Sequence, residues 1–292
     1  MTKQNKLSVV LSTYNEEKNV GDCLESVKDI ADEIVVVDGS STDRTREIAK
    51  EFGARVIKTT NPRIFHINKQ KVLVAAKYDW ILQIDADERL SKSLAKEIIK
   101  VIEMSDEEIG MYQKSFSEKK QKLFNKHKRL LDERDGTIGK DNEPYAGFFV
   151  PRLNYFLGKY LKYGGVYPDG VIRLVKNGKA YFPAKDVHEL MVVNGKVGWL
   201  QNDLIHMADP TFERYLKRNS KYIDLIADGL KRDKVGKNPI KFIEYYFIKS
   251  IGWFFVTQIR HKGILDGFQG IVFSFFSALR FPRAYWRYLV KR

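Results

Sequence analysis

Trp80-Ile81-Leu82-Gln83-Ile84-Asp85-Ala86-Asp87-Glu88 decides how this chain is read. The apolar run has the length and make-up of a buried strand. It delivers two carboxylates, Asp85 and Asp87, to one side of the strand's C-terminal end. Open α/β sheets place their ligands at that edge. Paired carboxylates need a cation, and hard oxygen donors suit Mg²⁺ or Mn²⁺, ions that usually bind through one or two carboxylates plus substrate phosphates. Alone, Asp-x-Asp describes a solvated turn equally well, so the flanking sequence has to decide.

Working back from it, Leu7–Leu11 and Glu33–Val37 are short, β-branched runs of the kind buried in parallel sheets. The first ends in Ser12-Thr13-Tyr14-Asn15-Glu16-Glu17, the second in Asp38-Gly39-Ser40-Ser41-Thr42-Asp43. Val20, Leu24, Val27 and Ile30 form one helical stripe between them. A helix after Asp43 should run to Phe52 and stop at Gly53. A third strand is expected over 54–58, and a helix near 65–77 leads into the Trp80 strand. Strands alternating with helices predict an α/β fold with a doubly wound, mostly parallel sheet.

These three strand ends, in this order, resemble the signature of family-2 inverting glycosyltransferases with the GT-A fold. Phe148-Phe149-Val150-Pro151-Arg152, Tyr163-Gly164-Gly165-Val166-Tyr167-Pro168-Asp169, Arg173-Leu174 and Val187-His188-Glu189 are similar to the subgroup containing lipopolysaccharide-core β-glucosyltransferases. The resemblance covers roughly residues 5–225. It implies transfer of a hexose from a nucleotide sugar, with UDP-sugar the favoured donor, to a hydroxyl of a cell-envelope glycan or lipid-linked acceptor. It also implies a general base downstream of the metal motif. Glu189 matches that position best and Asp186 is the rival, because many relatives have Glu-Asp where this chain has His-Glu.

Such chemistry assigns work to particular residues. Negative charge develops on the leaving diphosphate, so Asp87, with Asp85 and His206, is expected to hold a metal there. Thr13, Asn15, Glu16, Asp38 and Ser40 are expected to line the nucleotide pocket, with Asp38 suited to accept a uracil imide N–H. Asp85 would touch either metal or ribose. Arg173 and Arg152 sit in extended segments and offer forks for phosphate. Trp199 and Tyr167 would suit sugar stacking, although buried aromatics are commoner. Two other readings remain: a sugar-phosphate nucleotidyltransferase, which usually shows a glycine-rich loop absent after the first strand, and a non-catalytic membrane scaffold.

The 292 residues carry a net charge of +14, unevenly spread. Residues 210–292 hold 17 Lys/Arg against 6 Asp/Glu and 18 of the 37 aromatic residues. That tail is too apolar for a nucleic-acid groove, and no nucleic acid partner is expected. It predicts helices lying on an anionic membrane surface, or alternatively a homodimer interface. Residues 114–140, with nine Lys/Arg against four Asp/Glu, read as an exposed helical insertion. The expected organisation is a catalytic domain over 1–209, divided into a nucleotide half (about 1–105), the basic insertion (about 107–143) and an acceptor half (about 144–209), followed by a helical tail over 210–292. Cys23 is the single cysteine, which excludes an internal disulfide. Met1 leads almost directly into a strand, so no signal peptide is expected. Localisation on the cytoplasmic side, peripheral at the inner face of the cell membrane, follows from these expectations.

Overall fold

Four apolar runs form parallel strands: β1 (Leu7–Thr13), β2 (Glu33–Asp38), β3 (Arg55–Lys58) and β4 (Trp80–Gln83), in the order β3-β2-β1-β4. Helices α1 (Val20–Glu25), α2 (Thr45–Glu51) and α3 (His66–Ala75) connect them. The computed structural model describes residues 4–184 and 190–290. Alternate residues of each central strand are buried on opposite faces. Val9, Leu11, Val36 and Leu82 pack with Val20 and Leu24 of α1, whereas Val10, Val35, Val37 and Ile81 pack with Val72 and Leu73 of α3. Burial on both sides is why these strands read as continuous apolar runs. Gly53, at φ +74°, ends α2 as expected.

The strand order reverses at β1, with β2 on one side and β4 on the other, and all four strands point their C-terminal ends the same way. Beyond β4 the sheet turns antiparallel. β5 (Glu88–Leu90) follows the carboxylate pair and leads into α4 (Lys92–Ile102), capped by the Ser91 side chain. α5 (Asp106–Lys114) opens with a Ser105/Glu108 capping box, and α6 (Glu118–Asp135) follows. The remaining strands are β6 (Tyr145–Phe156), β7 (Lys159–Leu161), β8 (Asp169–Lys176), β9 (Ala180–Tyr181), β10 (Val192–Val193), β11 (Lys196–Trp199) and β12 (Leu204–Asp209). β8 pairs antiparallel with β4 and β6, β12 lies next to β6, and β5 forms the edge. The result is a mixed sheet whose N-terminal half is the doubly wound parallel layer expected from the sequence.

The basic stretch 114–140 is helical, but one face of it is structural. Phe116, Phe124, Leu131 and Ile138 are buried. Phe124 stacks on Trp199 at 4.3 Å between ring centres, and Trp199 stacks in turn on Phe149 at 4.7 Å. Lys119, Lys122 and Lys126 take the outer side, whereas Lys120 Nζ donates to the Gln201 carbonyl at 2.7 Å.

The chain divides into two compact units, residues 1–152 with 168–206, and residues 153–167 with 207–292. In the second unit β7 pairs with the end of β6. α7 (Phe212–Arg232) packs Ile223, Ala227 and Leu230 against Ala284, Tyr285 and Tyr288. A nearly continuous helix runs through α8 (Pro239–Ile243), a π-turn (Glu244–Ile248), α9 (Lys249–Phe255) and a second π-turn (Val256–Arg260). After a turn, a 3₁₀ segment (Gly263–Asp266), α10 (Gly267–Ala278) and α11 (Arg280–Val290) complete it. Among the described residues one helical segment, Gly263–Val290, is long and apolar enough by length and composition to cross a membrane.

One contact in the first unit sets how β12 is approached. Glu97 of α4, buried, accepts from the backbone N–H of Gln201 (2.5 Å) and Asn202 (2.9 Å), from Asn202 Nδ2 (2.7 Å) and from the Tyr112 hydroxyl. Glu97→Ala leaves these buried donors without an acceptor. It is expected to lower stability in urea unfolding by about 1–3 kcal/mol. An unchanged midpoint would remove Glu97 from this role.

Candidate active site

The C-terminal ends of β1, β2 and β4 meet at the point where the strand order reverses, the place where α/β sheets form a crevice. The β1–β2 register sets Thr13 opposite Asp38. Asp38 is wholly buried. Its Oδ1 accepts from the hydroxyls of Ser41 (2.5 Å) and Thr13 (3.2 Å), its Oδ2 accepts from the Ser41 N–H (2.8 Å), and Arg46 Nε lies 3.6 Å away. Asp38 therefore shapes the turn after β2. Asn15 and Ser40 both adopt the left-handed region, at φ +54° and +64°. Non-glycine residues held there are strained, and such residues cluster at functional sites. Asn15 is locked by Ser41 Oγ accepting from its N–H (2.9 Å) and by its own Oδ1 accepting from the Thr42 N–H (2.8 Å). Ser40 Oγ donates to the Thr59 carbonyl at 2.7 Å. The Glu16 N–H donates to Thr45 Oγ1 at 2.7 Å. Four of the five residues expected around a nucleotide are thus tied into one pair of interlocked turns, with Glu16 anchored beside them.

Asp85 has a different neighbourhood from Asp87. Lys69 of α3 lies 2.6 Å from Asp85 Oδ1, and Arg173 of β8 donates to Oδ2 at 2.5 Å. Arg173 also donates to Gln83 Oε1 (2.6 Å) and Glu88 Oε1 (2.7 Å). Arg152 continues the chain, 3.3 Å from Glu88 Oε1 and 2.7 Å from Asp169 Oδ2. Three cations alternate with three carboxylates, and Glu88 is fully buried. Burial alone would raise the Asp85 carboxyl, but the charges of Arg173 and Lys69 outweigh it and hold Asp85 well below the usual carboxylate range. Burial pulls Lys69 down, whereas Asp85 and Glu88 overcome burial at Arg173 and push it up. Cys23, buried beneath this loop and 3.5 Å from the Asp85 carbonyl oxygen, has its thiol pushed far up by burial, as suits a core residue.

Asp87 faces His206. The β5–β12 pairing sets His206 opposite Glu88, and its Nε2 lies 3.6 Å from Asp87 Oδ2. One carboxylate and one imidazole at this separation suit two positions on a Mg²⁺ or Mn²⁺ ion, the rest falling to diphosphate oxygens and water. Asp85, spent on Lys69 and Arg173, is not placed with them. Among the described residues no group of three or more His, Cys, Asp or Glu side chains is arranged to hold a metal. The fit is therefore to an ion shared with a phosphate-bearing ligand.

Of the other expected residues, Arg173 and Arg152 form the buried charge chain, and Trp199 lies in the aromatic core. Glu189 and Asp186 fall outside the described residues. Sequence reasoning missed Lys69, Gln83 and Glu88. Glu88 abuts the carboxylate pair, and Gln83 is the polar residue within the apolar run Trp80–Ile84; both were signals. Lys69 on an otherwise ordinary helix gave none.

The family model described as glycosyl transferase family 2 matches residues 8–165. An uncharacterized glycosyltransferase of Rickettsia bellii is 44% identical over 94 residues, 32% of this chain and 31% of that protein. The chain thus matches about a third of the length of that relative. A lipopolysaccharide core biosynthesis glycosyltransferase of Rhizobium meliloti, LpsC, is 27% identical over 293 residues, covering 94% of this chain and 91% of its own. Glucosyl-3-phosphoglycerate synthase of Mycobacterium tuberculosis, solved with Mn²⁺, UDP and phosphoglyceric acid, is 26% identical over 34% of this chain and 39% of its own, with a TM-score of 0.30.

The charge chain yields a stability test. Arg173→Met leaves Asp85 and Glu88 desolvated with one cation each. It is expected to cost about 3–5 kcal/mol in urea unfolding at neutral pH. Because the folded Asp85 carboxyl lies below its unfolded value of about 3.9, its contribution is whole above that pH and is lost as pH falls further. Without Arg173 that depression shrinks, so acid unfolding of the variant is expected at a higher pH than in the parent. Identical acid and urea profiles would show that the chain carries no stability.

Proposed function

We propose, for a chain that belongs to glycosyl transferase family 2 and is a glycosyltransferase by that membership, that it moves a hexose from a UDP-sugar to a hydroxyl of a cell-envelope glycan or lipid-linked acceptor, with inversion. One observation carries the reading. Asp87 and His206 stand together at the crevice edge, beside the interlocked turns that hold Thr13, Asn15, Asp38 and Ser40. A phosphate-bearing donor reaching from those turns to Asp87 fits that arrangement.

Asp87 and His206 would hold Mg²⁺ or Mn²⁺ against the diphosphate, and the ion would neutralise the charge that leaves with it. The bond from the anomeric carbon to the diphosphate oxygen breaks with its electrons going to the phosphate. The acceptor oxygen bonds to the opposite face of that carbon. Glu189, or Asp186 in its place, takes the acceptor proton. Asp85, fixed by Lys69 and Arg173, presents its remaining exposed edge to the ribose side of the donor. Asp38 acts by keeping the turn after β2 in shape for the base. The chain would then work in the cytoplasm, at the inner face of the cell membrane, with its basic aromatic tail on the lipid side. LpsC supports the envelope acceptor by its named role and its near full-length match.

A panel of nucleotide sugars with Mn²⁺ tests the donor: UDP-hexoses are expected to be hydrolysed or transferred, and GDP- and ADP-sugars far less. Asp87→Ala is expected to abolish turnover, with chelator doing the same to the parent. Full activity in excess EDTA would end the metal-assisted reading. For the base, Glu189→Gln is expected to lower turnover by about 10²–10⁴-fold with donor binding nearly intact. Asp186→Asn should be much milder, and the reverse ranking would move the base to Asp186.

A further inference from the structure

The helical pair formed by residues 239–260 and 263–278 is inverted in polarity. Ser250, Thr257, Gln258, Gly270, Ser274 and Ala278 lie inside it, none more than 9% exposed. Gln258 Nε2 donates to Ser274 Oγ (2.6 Å) and to the Gly270 carbonyl (2.9 Å), and Ser250 Oγ donates to the Ala278 carbonyl (3.2 Å). The backbones approach closely at the turn, where a Cβ on Gly263 would lie 2.8 Å from the Thr257 carbonyl oxygen. Six large apolar side chains point outward, while Val272, Phe273 and Phe276 pack on Phe156 and Tyr215 and Trp253 donates across the pair to Ser277 Oγ. Ile251, Phe255 and Ile259 are 53%, 52% and 70% exposed, and Phe268, Ile271 and Phe275 are 73%, 43% and 49% exposed.

The spacing of each trio, in steps of three or four, lines one side of its helix. No Asp, Glu, Lys or Arg occurs in 250–259 or 267–279. Cations stand at the ends of these stretches instead: Lys249, Arg260, Lys262, Arg280 and Arg283. In water a helix pair buries its large apolar residues and exposes its polar ones. In lipid the arrangement reverses, with small and hydrogen-bonding residues between the helices and large apolar residues facing outward. An exposed apolar face of this extent marks an interaction surface.

We propose that this face is sunk into the acyl region of an anionic phospholipid bilayer, with the flanking Lys and Arg residues at its headgroups. Lipid is favoured by the inverted interior and by the cations at the ends of the apolar stretches, although Lys249 also pairs with Glu244 (2.8 Å), Arg283 donates to Asn219 (3.1 Å) and Asp266 borders the second stretch. Embedding on this scale makes apolar burial, rather than charge, the dominant source of affinity, so the association resists salt. This deepens the membrane placement proposed above and rests on it.

The test uses the full chain in flotation with phosphatidylglycerol/phosphatidylethanolamine vesicles. The protein is expected to float and to stay bound through a wash at about 1 M salt, where charges are screened within about 3 Å. The double variant F255E/F268E is expected to lose at least tenfold in bound fraction. A cysteine at Phe268 carrying an environment-sensitive fluorophore should shift to the blue on vesicle addition, and the same label at Lys122 should not. Release by salt, undiminished flotation of the double variant, or an unshifted Phe268 label would overturn the proposal. So would indifference to vesicles together with a dimer that F255E/F268E disperses, which would give the face to a second copy of the chain. UDP calorimetry on the same samples reports on the transfer reading separately.

Discussion

The contact of Arg173 with Asp85 and Glu88 is the constraint on which the candidate site depends. The Arg173 guanidinium and the Glu88 carboxylate are withdrawn from water, with Asp85 partly buried beside them, at the end of the strand that carries the Asp-x-Asp pair. Uncompensated, each would be costly to bury; joined to Lys69 and Arg152, their charges balance, while Nε of Arg152 and of Arg173 stays buried with no hydrogen-bond partner among the described residues. The consequence is geometric. Asp85 is held back by two cations, and Asp87, two residues further along, stands with His206. One Asp-x-Asp motif thereby carries two unlike carboxylates, one built into a buried network and one suited to a divalent ion.

Much of this was legible in the sequence. The parallel strands declare themselves because burial on both faces demands unbroken apolar runs, and ligand-bearing residues fall at their ends because that is where such sheets open. His206 could be suspected only as a lone histidine after an apolar run. Its place beside Asp87 comes from an antiparallel pairing of β12 with β5, which joins residues far apart in the chain. Arg173 shows the same limit from the other side. As an arginine in an extended segment it suggests phosphate, yet the pairing of β8 with β4 spends it on carboxylates. Trp199 likewise suggests a sugar platform until α6 closes over it. Glu189 and Asp186 remain readings of the motif alone.

The tail was legible in composition and not in arrangement. Its aromatic residues and its excess of Lys and Arg raise the expectation of a membrane surface, and the helices are as expected, but which side of each helix faces inward depends on the partner helix. Ser250, Gln258 and Ser274 look like ordinary polar positions until the pair forms and turns them toward each other. Ile251, Phe255, Ile259, Phe268, Ile271 and Phe275 are then left outside. The rule that buried polar groups find hydrogen-bond partners governs this pair, whereas the chain around Asp85 is held by charge pairing and leaves Nε of Arg152 and Arg173 without a hydrogen-bond partner among the described residues.

The central claim is that Asp87 and His206 hold a divalent ion together with the diphosphate of the donor. Electron paramagnetic resonance of Mn²⁺ titrated into the protein, with and without UDP, tests it most directly. The account predicts weak binding of the free ion, one tightly held ion per chain once UDP is present, and an imidazole nitrogen coupling that disappears in His206→Ala. Tight Mn²⁺ binding that ignores UDP, or a nitrogen coupling that survives the loss of His206, would contradict it.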